Sequence, residues 1–164
     1  QTLGIAAGRI AIGGDSAGGN LAAVLALMGR DGGVPATLFQ ALIYPVLDLT
    51  ASSDSYRRVT AGVPLTAATM HYFIDHYTPD ASRRLDWRAS PSLVITVAHD
   101  PLCDEGRAYA QKLEDDGVRV TAIHLSDQMH GMLMHGRLIR ASNLMVDCVG
   151  ALIGDALHRG QATA

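Results

Sequence analysis

The sequence predicts an α/β domain built on a parallel sheet flanked by helices, with an insertion that reads as a cap. Three observations carry this. Short apolar runs of strand length alternate with helix-forming stretches, a glycine-rich corner joins the first strand to the first helix, and no repeat or linker divides the chain. The 164 residues are of one-domain size, and 48% hydrophobic against 18% charged is enough for a core and too apolar for a disordered chain.

Residues 9–13 read as a short buried strand, and residues 20–28 as an apolar helix former after the glycine corner. The turn-rich stretch 30–35 leads to a second buried strand over 38–44, ended by Pro45. Residues 46–64 are mixed and rich in Ser and Thr. Thr66 suits an N-cap for a helix that runs to Tyr77, so 46–78 reads as a cap segment. The third strand is 92–98. Pro101, Asp104 and Glu105 suit the first turn of a helix that reaches Asp116, with Gly117 as its C-terminal stop. Residues 118–125 form the fourth strand. A last helix spans about 136–158, with Leu138, Ile139, Met145, Val146, Val149, Leu152 and Ile153 on one face.

Thirteen Lys and Arg against sixteen Asp and Glu leave a net charge of −3, which offers no basic footprint for a phosphate backbone. No uncharged apolar run approaches the roughly 20 residues of a membrane-spanning helix, and no stretch has the order of a signal peptide. Cys103 and Cys148 are far apart in sequence and indicate neither a disulfide framework nor a zinc knuckle. A reducing, cytoplasmic address is the expectation, and oligomeric state stays open. The chain opens at Gln1 without an initiator Met and enters a strand pattern at once, so an upstream segment is expected.

The sharpest chemical signal is Gly13-Gly-Asp-Ser-Ala-Gly-Gly19, which holds G-x-S-x-G between a strand and a helix. On such a strained corner Ser16 is pushed out over the strand ends, while Gly14 and Gly18 lack the β-carbons that would collide there. The backbone N–H of Ala17 would supply one donor to an oxyanion. A dinucleotide fingerprint starting at Gly13 needs glycine where Asp15 stands, and a P-loop needs lysine where Gly19 stands.

An alcohol needs a base to become a nucleophile, so an acid and a histidine should follow later strands. Asp100 ends the third strand and His130 follows the fourth, giving the chain order Ser, Asp, His. Asp104 and Glu105 are rival acids, placed in a first helical turn where carboxylates are at home for another reason. Asp15 reads as a turn organiser. His99 adjoins Asp100 in sequence, His124 is inside a strand, His71 and His76 diverge around one helix, and His135 and His158 receive no role. Met129, Met132 and Met134 suit an acyl pocket or ordinary core equally. Cys103 stands near a helix N-terminus, which lowers a thiol pKa, but has no histidine to pair with.

Gly14-Asp-Ser-Ala-Gly-Gly-Asn20, Tyr44-Pro-Val-Leu-Asp48, Asp100-Pro-Leu-Cys-Asp-Glu-Gly106 and Met129-His-Gly131 resemble, in order, motifs of the hormone-sensitive-lipase-like esterases, a family with the α/β-hydrolase fold. The resemblance runs from about Leu3 to His158 and implies the carboxyl-terminal part of one such domain, with residues 46–78 in its cap. It implies a serine carboxylesterase with Ser16 as nucleophile, Asp100 as acid and His130 as base. Short-to-medium acyl esters would be the small-molecule substrates, with no metal or organic cofactor. Three features depart from the family pattern: the upstream His-Gly-Gly oxyanion motif and half the sheet are absent, residues 88–91 pass almost directly into the third strand, and Met132 stands where an aromatic residue is common. The alternatives are a ligand-binding member of the fold without catalysis, or an inactive fragment.

Overall fold

The computed structural model describes residues 9–78 and 92–162. Four parallel strands lie in the order β1 (Ala11–Asp15), β2 (Phe39–Ile43), β3 (Ser92–His99) and β4 (Val120–Met129). The uninterrupted apolar runs of β2 and β3 follow from burial on both faces, since alternate side chains enter different cores. On one face Ala41, Ile43, Leu93, Ile95 and Val97 pack with Met145, Val149, Leu152 and Ile153 of α5 (Arg140–Ala162). On the other, Leu42 and Val94 meet Ala22 and Ala23 of α1 (Ala17–Arg30) and Tyr109, Ala110 and Leu113 of α4 (Cys103–Asp115).

A third cluster lies beyond the strand ends. Val46, Tyr56 of α2 (Asp54–Arg58), and Leu65, Ala67, Met70 and Ile74 of α3 (Ala67–Tyr77) and its approach pack on Leu102. Thr66 caps α3 as expected, its side chain accepting from Thr69 N–H at 3.3 Å. The first turn of α4 borrows its cap from α2 instead. The buried Ser55 Oγ accepts from Asp104 N–H at 3.2 Å and donates to the Pro101 carbonyl. Arg58 adds a two-pronged ion pair to Asp104.

The boundaries differ from the sequence expectation in instructive places. β1 runs on to Asp15, past its expected end at Gly13, because Gly14 and Asp15 pair in register with Leu42 and Ile43; Gly14, expected in the turn, is here a place of close strand contact. β4 continues to Met129 past a register irregularity between Val97 and His99. A 3₁₀ turn at Met132–His135 then delays the start of α5, and α2 was hidden within the Ser/Thr-rich stretch. Gly117 ends α4 at φ 78° in its expected place. The departure noted at residues 88–91 falls outside the described residues. Among the described residues β1 pairs with β2 alone, and no helix is long and apolar enough to cross a membrane.

Candidate active site

Ser16 occupies the corner between β1 and α1 with φ 52° and ψ −118°, a region that costs a non-glycine residue about 1–3 kcal/mol. Its backbone is fixed on both sides. Ser16 N–H donates to the Ile43 carbonyl at 2.9 Å, and its carbonyl accepts from Asn20 N–H at 3.2 Å and Val46 N–H at 3.3 Å. The Asn20 side chain donates to the Val46 carbonyl at 2.9 Å, so elbow and following loop are tied twice. Ala17 is the first helical residue, and its N–H has no acceptor within the helix.

The glycine requirement of the corner is asymmetric. A Cβ on Gly14 would lie 2.3 Å from the Gly18 carbonyl carbon, and one on Gly19 would lie 2.8 Å from Pro45 Cβ. A Cβ on Gly18 would meet only Asp15 Oδ1, at 4.0 Å. The sequence expectation that both flanking glycines are needed for lack of a Cβ is corrected at Gly18, whose backbone, not its missing side chain, fills the space.

Asp100 and His130 come to Ser16 from the ends of β3 and β4. Asp100 is fully buried. Its Oδ1 accepts from Leu102 N–H at 2.9 Å, which leaves Oδ2 facing His130 Nδ1 at 2.7 Å. His130 Nε2 lies 2.9 Å from Ser16 Oγ. With Nδ1–H donating to the carboxylate, Nε2 is the acceptor for the serine hydroxyl. Gly131, at φ 80°, lets the chain turn away behind the imidazole.

Tyr44 supports the histidine from below, its ring centroid 4.6 Å from the His130 ring at 53°. Burial, followed by the charge of Asp15, pushes the Tyr44 hydroxyl up to about 12, so it stays neutral. Tyr44 adopts φ 35°, unusual for a residue before proline. In the sequence Tyr44 stands out only as the end of the second strand and the start of the Tyr44–Asp48 motif.

Beside Ser16 opens an apolar cavity of about 530 Å³. Leu21 of α1, Val46 and Leu49 of the loop, and Met70, Phe73 and Ile74 of α3 form its walls. None of these residues gave an individual signal in the sequence; all but Leu21 fall within residues 46–78, the stretch expected as a cap. The three methionines near His130 do not line it. Met132 is buried in the sheet core and Met134 is 80% exposed, which places the first in ordinary packing and the second on the surface.

The rival acids have other partners. Asp104 pairs with Arg58, which holds its carboxyl below the usual range, and Glu105 binds backbone N–H groups. His124 Nδ1 faces Thr96 Oγ1 at 3.0 Å, His76 Nδ1 faces the Tyr72 carbonyl at 2.7 Å, and the His71 ring rests near Tyr56. Cys103 corrects the expectation of a lowered thiol: burial, then the charge of Asp104, pushes it up despite the helix N-terminus. Among the described residues no group of three or more His, Cys, Asp or Glu could hold a metal ion.

The profile of a family described as alpha/beta hydrolase fold matches residues 1–134. The chain belongs to the hormone-sensitive-lipase-like α/β-hydrolases. It is 34% identical over 155 residues to an ethyl acetate hydrolase of Pseudomonas putida, covering 87% of this chain and 49% of that protein. Two solved esterase structures are also similar. One, from Rhizomucor miehei, is 32% identical with a TM-score of 0.84 and coverage of 92% of this chain and 51% of its own. The other, from Pyrobaculum calidifontis, is 38% identical with a TM-score of 0.80 and coverage of 92% and 54%. The chain spans about half the length of these relatives.

Proposed function

We propose that the protein is a carboxylic-ester hydrolase acting through an acyl-enzyme, with Ser16 as nucleophile, His130 as general base and Asp100 as its orienting acid. The continuous hydrogen-bonded path from Ser16 Oγ through the imidazole to the buried Asp100 carries this reading. In the first half-reaction Ser16 Oγ adds to the ester carbonyl while its proton passes to His130 Nε2. The carbonyl electron pair moves to oxygen, where Ala17 N–H supplies one stabilising donor. Collapse expels the alcohol, which takes the proton from His130. Water then enters with His130 as base, and the acid leaves Ser16 free again. No metal or organic cofactor has a part in these steps.

The decisive experiment is intact mass before and after a fluorophosphonate probe. One adduct on the wild type and none on Ser16→Ala is the expected pair of spectra. Labelling that survives Ser16→Ala would refute Ser16 as nucleophile, and an unlabelled wild type would favour a ligand-binding relative or an inactive fragment.

The cavity supports short-to-medium acyl esters as substrates, because its walls are apolar and its volume falls within the usual 300–1,000 Å³ of small-molecule sites. Ile74→Trp should fill it. In a series of p-nitrophenyl esters from acetate to octanoate, kcat/KM is expected to fall more for the long esters than for acetate. A uniform fall across the series would place the acyl chain elsewhere.

A further inference from the structure

Glu105, in the Asp100–Gly106 motif, is buried at 4% exposure, and among the described residues no ion pair ties it to a cation. As the third residue of α4 it stands where a capping-box glutamate reaches back to its own helix. It reaches outward instead. Its Oε1 accepts from Leu47 N–H at 2.8 Å and Asp48 N–H at 3.3 Å, in the loop after β2.

That loop does two things in the site. Val46 and Leu49 wall the cavity, and the Val46 backbone holds Ser16 and Asn20. Leu47 and Asp48 lie between those two wall residues. The carboxyl of Glu105 is therefore the peg on which the stretch from Val46 to Leu49 hangs.

We infer that Glu105 is a positioning residue for the reaction of Ser16, acting through the 46–49 loop that it pins against the nucleophile elbow. The inference rests on Ser16 being the nucleophile.

The titratable groups facing Glu105 are Asp48 of the loop, Tyr56 of α2 and Asp100 at the end of β3. None is a cation. Burial, with smaller additions from Asp48 and Asp100, outweighs the two backbone N–H donors and pushes Glu105 up to about 8. Burial and then the Glu105 charge push Tyr56 up as well, so its hydroxyl stays neutral. Glu105 Oε2 and Tyr56 Oη are both buried without a hydrogen-bond partner. A proton on Oε2 keeps Oε1 free to accept from the loop and leaves no charge beside Asp48 and Asp100. Losing that proton leaves a buried anion beside Asp48 and Asp100, which costs desolvation and weakens the hold on the loop.

The folded chain keeps this proton to higher pH than the unfolded chain does, so the contribution of Glu105 to stability declines as pH rises from the carboxylate range through about 8.

The test is the rate at which a fluorophosphonate labels Ser16 in the full chain, measured from pH 7 to pH 9. If the neutral form is the competent one, a group titrating at about 8 lowers the wild-type rate about tenfold across that range. Glu105→Gln keeps an acceptor for the loop and cannot ionise, so its rate should show no such fall. Glu105→Ala should label about tenfold to 100-fold more slowly at pH 7, as displaced reacting groups do. Matching pH profiles for wild type and Glu105→Gln would overturn the inference, and this comparison stands even if Glu105→Ala does not fold. Absence of any label on Ser16 in the wild type would instead overturn the proposed function.

Discussion

Replacing Asp100 by asparagine is expected to lower kcat for ester hydrolysis about 10⁴-fold with little change in fold. The reason is the direction in which the new amide must face. Leu102 N–H points at Oδ1 from 2.9 Å, so an asparagine must turn its carbonyl oxygen there; the opposite orientation would set two donors against each other. The amide nitrogen is then left facing His130 Nδ1, where the carboxylate oxygen stood at 2.7 Å. It donates, Nδ1 becomes the acceptor, and the ring proton moves to Nε2. An imidazole protonated at Nε2 cannot take the proton of Ser16, only 2.9 Å away. Stopped-flow measurement of the acylation burst would locate the loss in the step that needs the base. A loss below about tenfold would mean that Asp100 does not set the tautomer and that another group orients the histidine.

Much of this site was legible in the sequence, for a physical reason. Ser16, Asp100 and His130 each follow a strand of a parallel sheet, and strand ends on one edge converge whatever the sequence distance between them. A strand-turn-helix pattern with small residues at the turn therefore marks the candidate nucleophile, and the ends of β3 and β4 mark its candidate partners. What the sequence did not display is whatever depends on contact between distant side chains. Ser55 looks like any serine in a polar stretch, yet it caps α4 from another helix. Tyr44 looks like a strand-ending aromatic, yet its ring carries the imidazole. Glu105 has the sequence position of a dipole-compensating carboxylate, and only its burial and its reach to Leu47 reveal a different task. The first strand outran its expected end at Gly13 for a related reason: propensity scores Gly14 and Asp15 as turn, while pairing with Leu42 and Ile43 makes them strand.

The two glycines flanking Asp15-Ser16-Ala17 should respond to alanine in opposite ways, which a symmetric reading of G-x-S-x-G does not foresee. At Gly14 the new methyl would fall 2.3 Å from the carbonyl carbon and 2.4 Å from the carbonyl oxygen of Gly18, both backbone atoms. No rotamer change relieves a clash with backbone, so the first turn of α1 must shift away from β1. Overpacking of this kind costs about 3 kcal/mol or more, and at this chain length that is a fall in Tm of about 6–12 °C. The shift also carries Ser16 with it, because the Ser16 carbonyl is bonded to Asn20 within the same turn at 3.2 Å. Activity should therefore drop further than stability explains at temperatures where the variant remains folded. At Gly18 the methyl would find its nearest neighbour 4.0 Å away, in the first turn of a helix where alanine is the better helix former by up to about 1 kcal/mol. Gly18→Ala should thus keep its Tm or gain a few degrees, and keep its activity, since Gly18 is not among the residues lining the cavity. Thermal melts of the two variants beside the wild type decide the matter. Equal destabilisation by both would mean that helix α1 sits closer to β1 than its present spacing allows, and that the elbow needs two bare Cα atoms instead of one.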